Sequence, residues 1–249
     1  MSSTRNPRVA EAIRLHRSRN RRDAGQTLVE GPTLVLEALA HGGRLVRVFA
    51  VPGDPVADEA AEAGIDVVTV EPQVLERIST TDTPRSPVAV ASIVEGRLPA
   101  TGDILVAWGV GDPGNVGTLL RTAAALDVAF AVGPGTADPW SPKVVRAGAG
   151  AHFRRPPSVV EGLEGLRSGG REVVATVVHG GVHPAALTEA ASVAILVGDE
   201  AHGLPADVVD RCDRRVTIPM ATDAESLNAA VAGAIVAYTR VAGGDSAPG

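Results

Sequence analysis

Residues 218–228 bring a strand that ends at a proline, a polar loop and the start of a helix into one short stretch. The predicted strand 215–218 ends at Pro219 because proline cannot donate a hydrogen bond to a sheet. After the loop, Ser226 occupies a position suited to cap the apolar helix that follows. Loop backbone groups and the Ser226 and Asn228 side chains then lie beside a helix N-terminus. This arrangement predicts a binding site for a small polar ligand.

Two earlier segments have the same order of strand and then polar loop. The apolar strand 104–108 precedes a helix that carries Asn115 and Arg121, and the apolar strand 193–197 ends in a glycine-flanked loop that contains Glu200. Open α/β sheets bind ligands at the carboxyl ends of their strands. We therefore expect these three side chains to belong to the same site as Ser226 and Asn228.

Each of these side chains also has a purely structural interpretation. Asn115 can be a helix cap, and Glu200 can be a surface acid beside Asp199. Arg121 lies among apolar and small residues, so its guanidinium either extends to water or provides a fixed cation. Arginine stays protonated at neutral pH. It is therefore better suited to orienting a phosphate or stabilising a developing alkoxide than to acting as a general base.

A different chemistry is suggested by residues 109–114, which match the glycine pattern of dinucleotide-binding loops between a strand and a helix. Pro113 argues against this interpretation, because it removes a backbone N–H where a pyrophosphate needs donors. The pattern also starts a hundred residues into the chain instead of opening a first βαβ unit. An oxidoreductase that uses a dinucleotide stays as an alternative.

Taken together, the three segments resemble a known family. Asn115-x-Gly117-x-x-x-Arg121, Gly198-x-Glu200-x-x-Gly203, and Ile218-Pro219-Met220 with Ser226-Leu227-Asn228 are similar to the three motifs of the SpoU (TrmH-like) RNA ribose 2′-O-methyltransferases of the SPOUT superfamily. They occur in the family's order and cover residues 104–242. A single motif would be weak support, whereas three in order are specific.

The resemblance implies a trefoil-knotted catalytic domain, a homodimer and S-adenosylmethionine as cofactor. It implies that the cofactor is lined by Thr176, Leu196, Gly198, Gly203, Ile218, Met220 and Leu227. The implied catalytic groups are Asn115, Arg121, Glu200, Ser226 and Asn228. The predicted function is 2′-O-methylation of a ribose in structured RNA, with ribosomal RNA favoured over transfer RNA. A non-catalytic RNA-binding protein on the same scaffold is the first alternative, ahead of the oxidoreductase.

The order of predicted elements indicates two α/β domains. Strands and helices alternate over residues 1–95, which are similar to the L30e-like substrate domain of this family, and residues 96–103 form a polar linker. Residues 104–243 are predicted to form the methyltransferase domain, with a parallel sheet covered on both faces. Residues 244–249 are predicted to be a disordered tail.

Basic residues are concentrated at two places, although the net charge is −6. The first residues are arginine-rich, and a second basic group follows residue 140. Solvated helix faces explain such charges as well as phosphate contacts do. The motifs favour RNA, and the predicted RNA-binding residues are Arg5, Arg8, Arg17, Arg19, Arg21, Arg22, Lys143, Arg146 and Arg154.

Composition excludes several other classes of protein. The single cysteine, Cys212, cannot form an internal disulfide, and no cluster of His, Cys and acidic residues has the spacing of a metal site. No long uncharged apolar segment predicts a membrane span, and the arginine-rich start does not resemble a signal peptide. We expect a cytoplasmic protein without a metal.

Overall fold

The structure is a computed structural model that describes residues 6–221 and 226–244. The chain forms two compact units. The first comprises the chain up to Val94 together with Trp140–Arg154, and the second comprises Glu95–Pro139 and the chain from Arg155 onward. The predicted domain ranges place residues 140–154 with the second part of the chain, whereas the structure packs them with the first.

The elements are as follows, in chain order. The strands are β1 (Gln26–Glu30), β2 (Leu45–Ala50), β3 (Asp66–Thr69), β4 (Val88–Ser92), β5 (Ile104–Ala107), β6 (Ala129–Val132), β7 (Ser158–Val159), β8 (Glu172–Thr176), β9 (Val193–Val197) and β10 (Arg214–Val216). The helices are α1 (Pro7–Arg14), α2 (Ser18–Ala24), α3 (Pro32–Ala40), α4 (Pro55–Glu62), α5 (Pro72–Ile78), α6 (Pro113–Ala125), α7 (Pro142–Ala147), α8 (Ala151–Arg154), α9 (Ala206–Asp210) and α10 (Ala229–Gly244). Short 3₁₀ turns cover Glu164–Leu166, Ser168–Gly170 and Pro184–Glu189.

The first unit is built on a mixed sheet with strand order β1-β4-β2-β3. Strand β4 runs antiparallel to β1 and β2, and β2 runs parallel to β3. One core cluster joins Val29, Val35 and Val48 to Trp140 and Val145, so α7 and its flanking residues complete this hydrophobic core. The segment is therefore an integral part of the first unit.

Residues 8–20 have a helical pattern in the sequence, and the structure divides them between two helices, α1 and α2, with a break between them. Arg21 explains how the break is stabilised. Its buried guanidinium donates hydrogen bonds to the carbonyl oxygens of Leu15 (2.9 Å) and His16 (3.0 Å). Carbonyls that the break removes from a helix are thereby satisfied.

The second unit contains a six-stranded sheet with strand order β10-β8-β9-β5-β6-β7. Every neighbouring pair is parallel, as the sequence predicts. Strands β5 and β9 lie side by side at its centre and are buried throughout. Arg171 ties the predicted linker to this unit through hydrogen bonds to the carbonyls of Pro99 and Gly102. Among the described residues, no helix is long and apolar enough to cross a membrane.

Candidate functional site

A cavity of about 400 Å³ lies in the second unit, at the carboxyl ends of β8, β9 and β10 and against the first turns of α10. The segments that follow these strands and the start of α10 form its wall. Six of the seven predicted cofactor residues line it, namely Thr176, Gly198, Gly203, Ile218, Met220 and Leu227. The position agrees with the general location of ligand sites in open α/β sheets.

Leu196 is the predicted cofactor residue that does not line the cavity. Its side chain is fully buried in the core of the second unit. Its carbonyl oxygen accepts a hydrogen bond from the Thr176 hydroxyl at 2.9 Å. Leu196 therefore supports the wall from behind and fixes the orientation of Thr176.

The loop after β9 closes tightly on itself. The backbone N–H of Gly203 donates to the carbonyl of Asp199 at 2.8 Å, and Gly203 has a φ of +66°, in the left-handed region that glycine tolerates. A Cβ atom on Gly198 would lie 2.3 Å from the carbonyl carbon of Gly203. The two glycines of the second motif are thus required by backbone geometry.

Asp199 organises the same loop from its side chain, a role that the sequence analysis missed. Its Oδ1 atom accepts hydrogen bonds from the backbone N–H of Ala201 (3.0 Å) and His202 (3.3 Å). Hydrogen bonds hold the pKa of Asp199 below its ordinary value. The largest effect comes from the Ala201 N–H, and smaller ones come from the His202 side chain and from the N–H groups of His202 and Gly111. Asp commonly bonds to the backbone two residues on. This tendency of aspartate was the signal in the sequence that could have identified the role of Asp199.

Asn115 and Asn228 are joined directly, although 113 residues separate them in the chain. The Nδ2 atom of Asn228 donates to Oδ1 of Asn115 at 3.0 Å. Asn228 also caps α10, because its Oδ1 accepts from the N–H of Ala230 and Val231. The predicted cap at Ser226 is therefore wrong, and Ser226 lines the cavity instead.

Asn115 is not a helix cap either. Asp112 caps α6 by accepting a hydrogen bond from the backbone N–H of Asn115 at 2.9 Å. The side-chain amide of Asn115 is therefore left for its contact with Asn228. Glu200 is exposed and lines the cavity. Arg121 is exposed on α6 and is not part of the cavity wall. Within residues 6–221 and 226–244, Arg121 makes no hydrogen bond or ion pair.

The predicted RNA-binding arginines near the N-terminus have different environments. Arg17 and Arg22 are exposed, whereas Arg8 pairs with Asp66 (3.4 Å) and Arg19 with Asp23 (3.7 Å) in exposed ion pairs. Burial removes Arg21 from the predicted set, because its guanidinium is used between α1 and α2. Arg5 lies outside the described residues.

The second basic group belongs to the first unit. Lys143 is exposed on α7, Arg146 pairs with Glu30 at 3.1 Å, and Arg154 pairs with Glu37 at 3.4 Å. No group of three or more His, Cys, Asp or Glu side chains within the described part of the chain is placed to hold a metal ion.

Comparison with known proteins covers both parts of the chain. The family model described as SpoU rRNA Methylase family matches residues 103–238, and the model described as MRM3-like substrate binding domain matches residues 6–89. A Bacillus subtilis protein named 23S rRNA (guanosine(2553)-2′-O)-methyltransferase RlmP is 33% identical, over 96% of this chain and 97% of its own. A Streptomyces viridochromogenes protein named 23S rRNA (uridine(2479)-2′-O)-methyltransferase is 31% identical, over 96% and 91%.

Solved structures give the same result for the fold. The SpoU methyltransferase AviRb from Streptomyces viridochromogenes, in complex with the cofactor AdoMet, superposes with a TM-score of 0.86. It is 26% identical, over 98% of this chain and 100% of its own. An AdoMet-bound rRNA methyltransferase from Sinorhizobium meliloti has a TM-score of 0.84 and 28% identity, with 96% of each chain covered.

Proposed function

We propose that the chain, which belongs to the SpoU rRNA methylase family, transfers a methyl group from S-adenosylmethionine to a ribose 2′-hydroxyl of structured RNA. Ribosomal RNA is favoured over transfer RNA, because the two relatives described above are named for 23S rRNA. The observation that carries the proposal is the cavity at the strand ends, which is lined by residues 198–203 of the second motif and by Ile218, Met220, Ser226 and Leu227 of the third.

The cavity fits the cofactor in size and in the chemistry of its wall. Its volume falls in the range of about 300–1,000 Å³ that is usual for small-molecule sites. Val197, Ile218 and Leu227 provide apolar surface for a flat base, and Thr176, Glu200 and Ser226 provide polar groups. The bound cofactor would supply the electrophilic methyl group, and the protein would supply binding and orientation.

The named side chains would act on the substrate and on the shape of the site. The Asn115–Asn228 hydrogen bond fixes the start of α10 against α6, so that Ser226 is held at the cavity. Glu200 places a carboxylate at the wall, on a loop held rigid by Asp199. Arg121 would orient the substrate phosphate and stabilise the developing alkoxide.

The alternatives fit the structure less well. Pro113 opens α6 and Asp112 caps it, and residues 109–114 do not line the cavity, which argues against a dinucleotide site there. A non-catalytic RNA-binding protein would not need the polar residues of all three motifs. Asn115, Arg121 and Glu200 are all retained in this chain.

We further propose a homodimer in which Arg121 acts at the cavity of the partner chain. Arg121 is exposed and lies outside the cavity wall of its own chain, which supports this arrangement. Helix α10 carries an exposed apolar stripe of Val231, Ile235 and Tyr238, exposed by 47%, 37% and 63%. Residues at this spacing share one helix face and favour burial against another surface.

We place the enzyme in the cytoplasm, where ribosomal RNA is modified.

Methyl transfer to unmodified 23S ribosomal RNA transcribed in vitro, followed by mapping of the methylated ribose, tests the proposal. Arg121→Ala should lower the rate by about 10²–10³, as removal of one transition-state donor does elsewhere. Its affinity for S-adenosylmethionine should stay within about twofold. Arg211→Ala removes another exposed arginine of the second unit and is the matched control. Near-normal turnover by Arg121→Ala would contradict the assigned role.

A further inference from the structure

Glu30 is a buried carboxylate at the end of β1, with only 4% of its side chain exposed. It accepts hydrogen bonds from the Ser79 hydroxyl (2.6 Å), the Thr80 N–H (3.1 Å), the Thr80 hydroxyl and Nη1 of Arg146 (3.1 Å). A buried charge is stable only when it is paired and hydrogen-bonded in this way. Glu30 therefore fixes both the segment after α5 and a side chain of α7.

The Arg146 guanidinium is held at one end only. Its Nη1 atom donates to Glu30 and, at 2.8 Å, to the Thr80 hydroxyl. Within the described residues, its Nε and Nη2 atoms have no hydrogen-bond partner, and the side chain is 30% exposed. A planar guanidinium with one end fixed presents its remaining donors to solvent in a defined direction. That geometry suits a phosphate oxygen.

Lys143 lies one helical turn before Arg146 on α7, so the two side chains share a face of the helix. It is exposed and has no hydrogen bond or ion pair among residues 6–221 and 226–244. Because Glu30 neutralises Arg146, Lys143 supplies the net positive charge of this face. Arg154, by contrast, is used in an ion pair with Glu37.

We propose that Arg146 and Lys143 together bind one backbone phosphate of the substrate RNA, and that Glu30 and Thr80 are positioning residues that aim the guanidinium at it. The proposal rests on the proposed RNA substrate. It gives a specific role to Glu30 and Thr80, two polar residues of the first unit that belong to none of the three motifs. The competing explanation is that Glu30 and Arg146 form a pair that only stabilises the fold.

Salt dependence of RNA binding distinguishes these two explanations. The probe is unmodified 23S ribosomal RNA transcribed in vitro, with dissociation constants measured by filter binding at several salt concentrations. Arg146→Gln should bind about tenfold more weakly, as expected for one charge-assisted contact. The slope of log K against log[salt] should become smaller in magnitude by about 0.7–0.9, the value for one phosphate. Lys143→Gln should have a similar effect on the slope.

The control is Arg211→Gln, which makes the same charge change at an exposed arginine that is ion-paired with Glu164 in the second unit. It should leave affinity within about twofold and the slope unchanged. None of the three substitutions should change the affinity for S-adenosylmethionine. A lower melting temperature for Arg146→Gln, with affinity and slope unchanged, would establish the purely structural role and overturn the proposal.

A double-mutant cycle tests the positioning role. In the Thr80→Val background, where the hydroxyl that holds Arg146 is absent, Arg146→Gln should weaken RNA binding by less than about twofold. Thr80→Ser keeps the hydroxyl and should preserve the full effect of Arg146→Gln. A second cycle, which combines Glu30→Ala with Arg146→Gln, should give the same non-additive result. If Glu30→Ala does not fold, the cycle with Thr80→Val alone tests the positioning role. Additive effects would refute positioning. Absence of methyl transfer by the unaltered chain would instead refute the proposed function.

Discussion

Removal of residues 1–100 would delete the sheet on which Trp140–Arg154 packs, while every residue of the cofactor cavity would remain. Trp140 and Val145 are 5% and 0% exposed in the intact chain, and both belong to the core cluster of the first unit. The Thr27 hydroxyl, which donates to the Trp140 carbonyl at 2.6 Å, would also be lost. We therefore expect the shortened chain to bind S-adenosylmethionine but to release this segment from its packed position.

The size of the effect follows from the side chains that lose their cover. A buried tryptophan covers about 150–250 Å², which corresponds to about 4–6 kcal/mol at 25 cal/mol per Å². Burial of Val145 contributes about 1.5–3 kcal/mol more. A short segment that loses this much stabilisation cannot keep its helices, since isolated helices of this length are unstable in water. The segment would become an exposed apolar loop that promotes association.

Limited proteolysis with chymotrypsin measures the release directly, because Trp140 and Phe153 offer cleavage sites in this segment. Cleavage there should be fast in the shortened chain and slow in the intact chain. Calorimetry should give an affinity for S-adenosylmethionine within a few-fold of that of the intact chain, since the cavity lies wholly in the second unit. Methylation of structured RNA should be poor.

Val145→Ser is the control, because it should be harmful in the intact chain and beneficial in the shortened chain. In the intact chain it should lower the melting temperature by roughly 4–8 °C, from a loss of about 2 kcal/mol. In the shortened chain, where Val145 is expected to be exposed, the same substitution should reduce association in sedimentation experiments. Protection of the segment from chymotrypsin in the shortened chain would refute its dependence on the first unit.

Three further predictions concern the second unit. Gly198→Ala should weaken S-adenosylmethionine binding more than about tenfold in calorimetry, because its Cβ would lie 2.3 Å from Gly203; Gly165→Ala, which has open space around its Cβ, is the control, and equal affinities would contradict the argument. Ile235→Glu on α10 should convert a dimer to a monomer in sedimentation equilibrium, whereas Val159→Glu, at an exposed valine of β7, should not; a dimer that survives Ile235→Glu would exclude this face. Burial, followed by the charge of Asp213, raises the pKa of the Cys212 thiol to about 11. Iodoacetamide should therefore modify it about 100-fold more slowly than free cysteine at pH 8, and faster as the pH approaches 11, because only the thiolate reacts; modification at the free-cysteine rate would contradict this.

Helix starts were predictable from the sequence where proline marks them. Helices α3, α4 and α5 begin at Pro32, Pro55 and Pro72. Proline fits the first turn of a helix, where its missing N–H has no partner to lose. The break between α1 and α2 had no such marker. It depends on where the Arg21 side chain goes, which local pattern does not specify.

Long-range contacts account for most of what the sequence did not reveal about the site. Ser226 and Asn228 are both favourable cap residues, so propensity alone could not choose between them. An asparagine amide can accept from the helix N–H groups and donate at the same time, and Asn228 uses this second capacity toward Asn115. The packing of Trp140 against β1 is equally non-local, since its partner Thr27 lies 113 residues away.

The positions of Asn115 and Arg121 on α6 together support the proposed dimer, which neither residue would do alone. Asn115 and Arg121 are six residues apart on α6, and at about 100° per residue they point in directions about 120° apart. Asn115 contacts Asn228 at the start of α10, so Arg121 is directed away from that contact. A helix that serves one reaction with both residues must therefore present two faces to two surfaces. A second copy of the chain, seated on the exposed stripe of α10, would provide the second surface and bring Arg121 to its cavity.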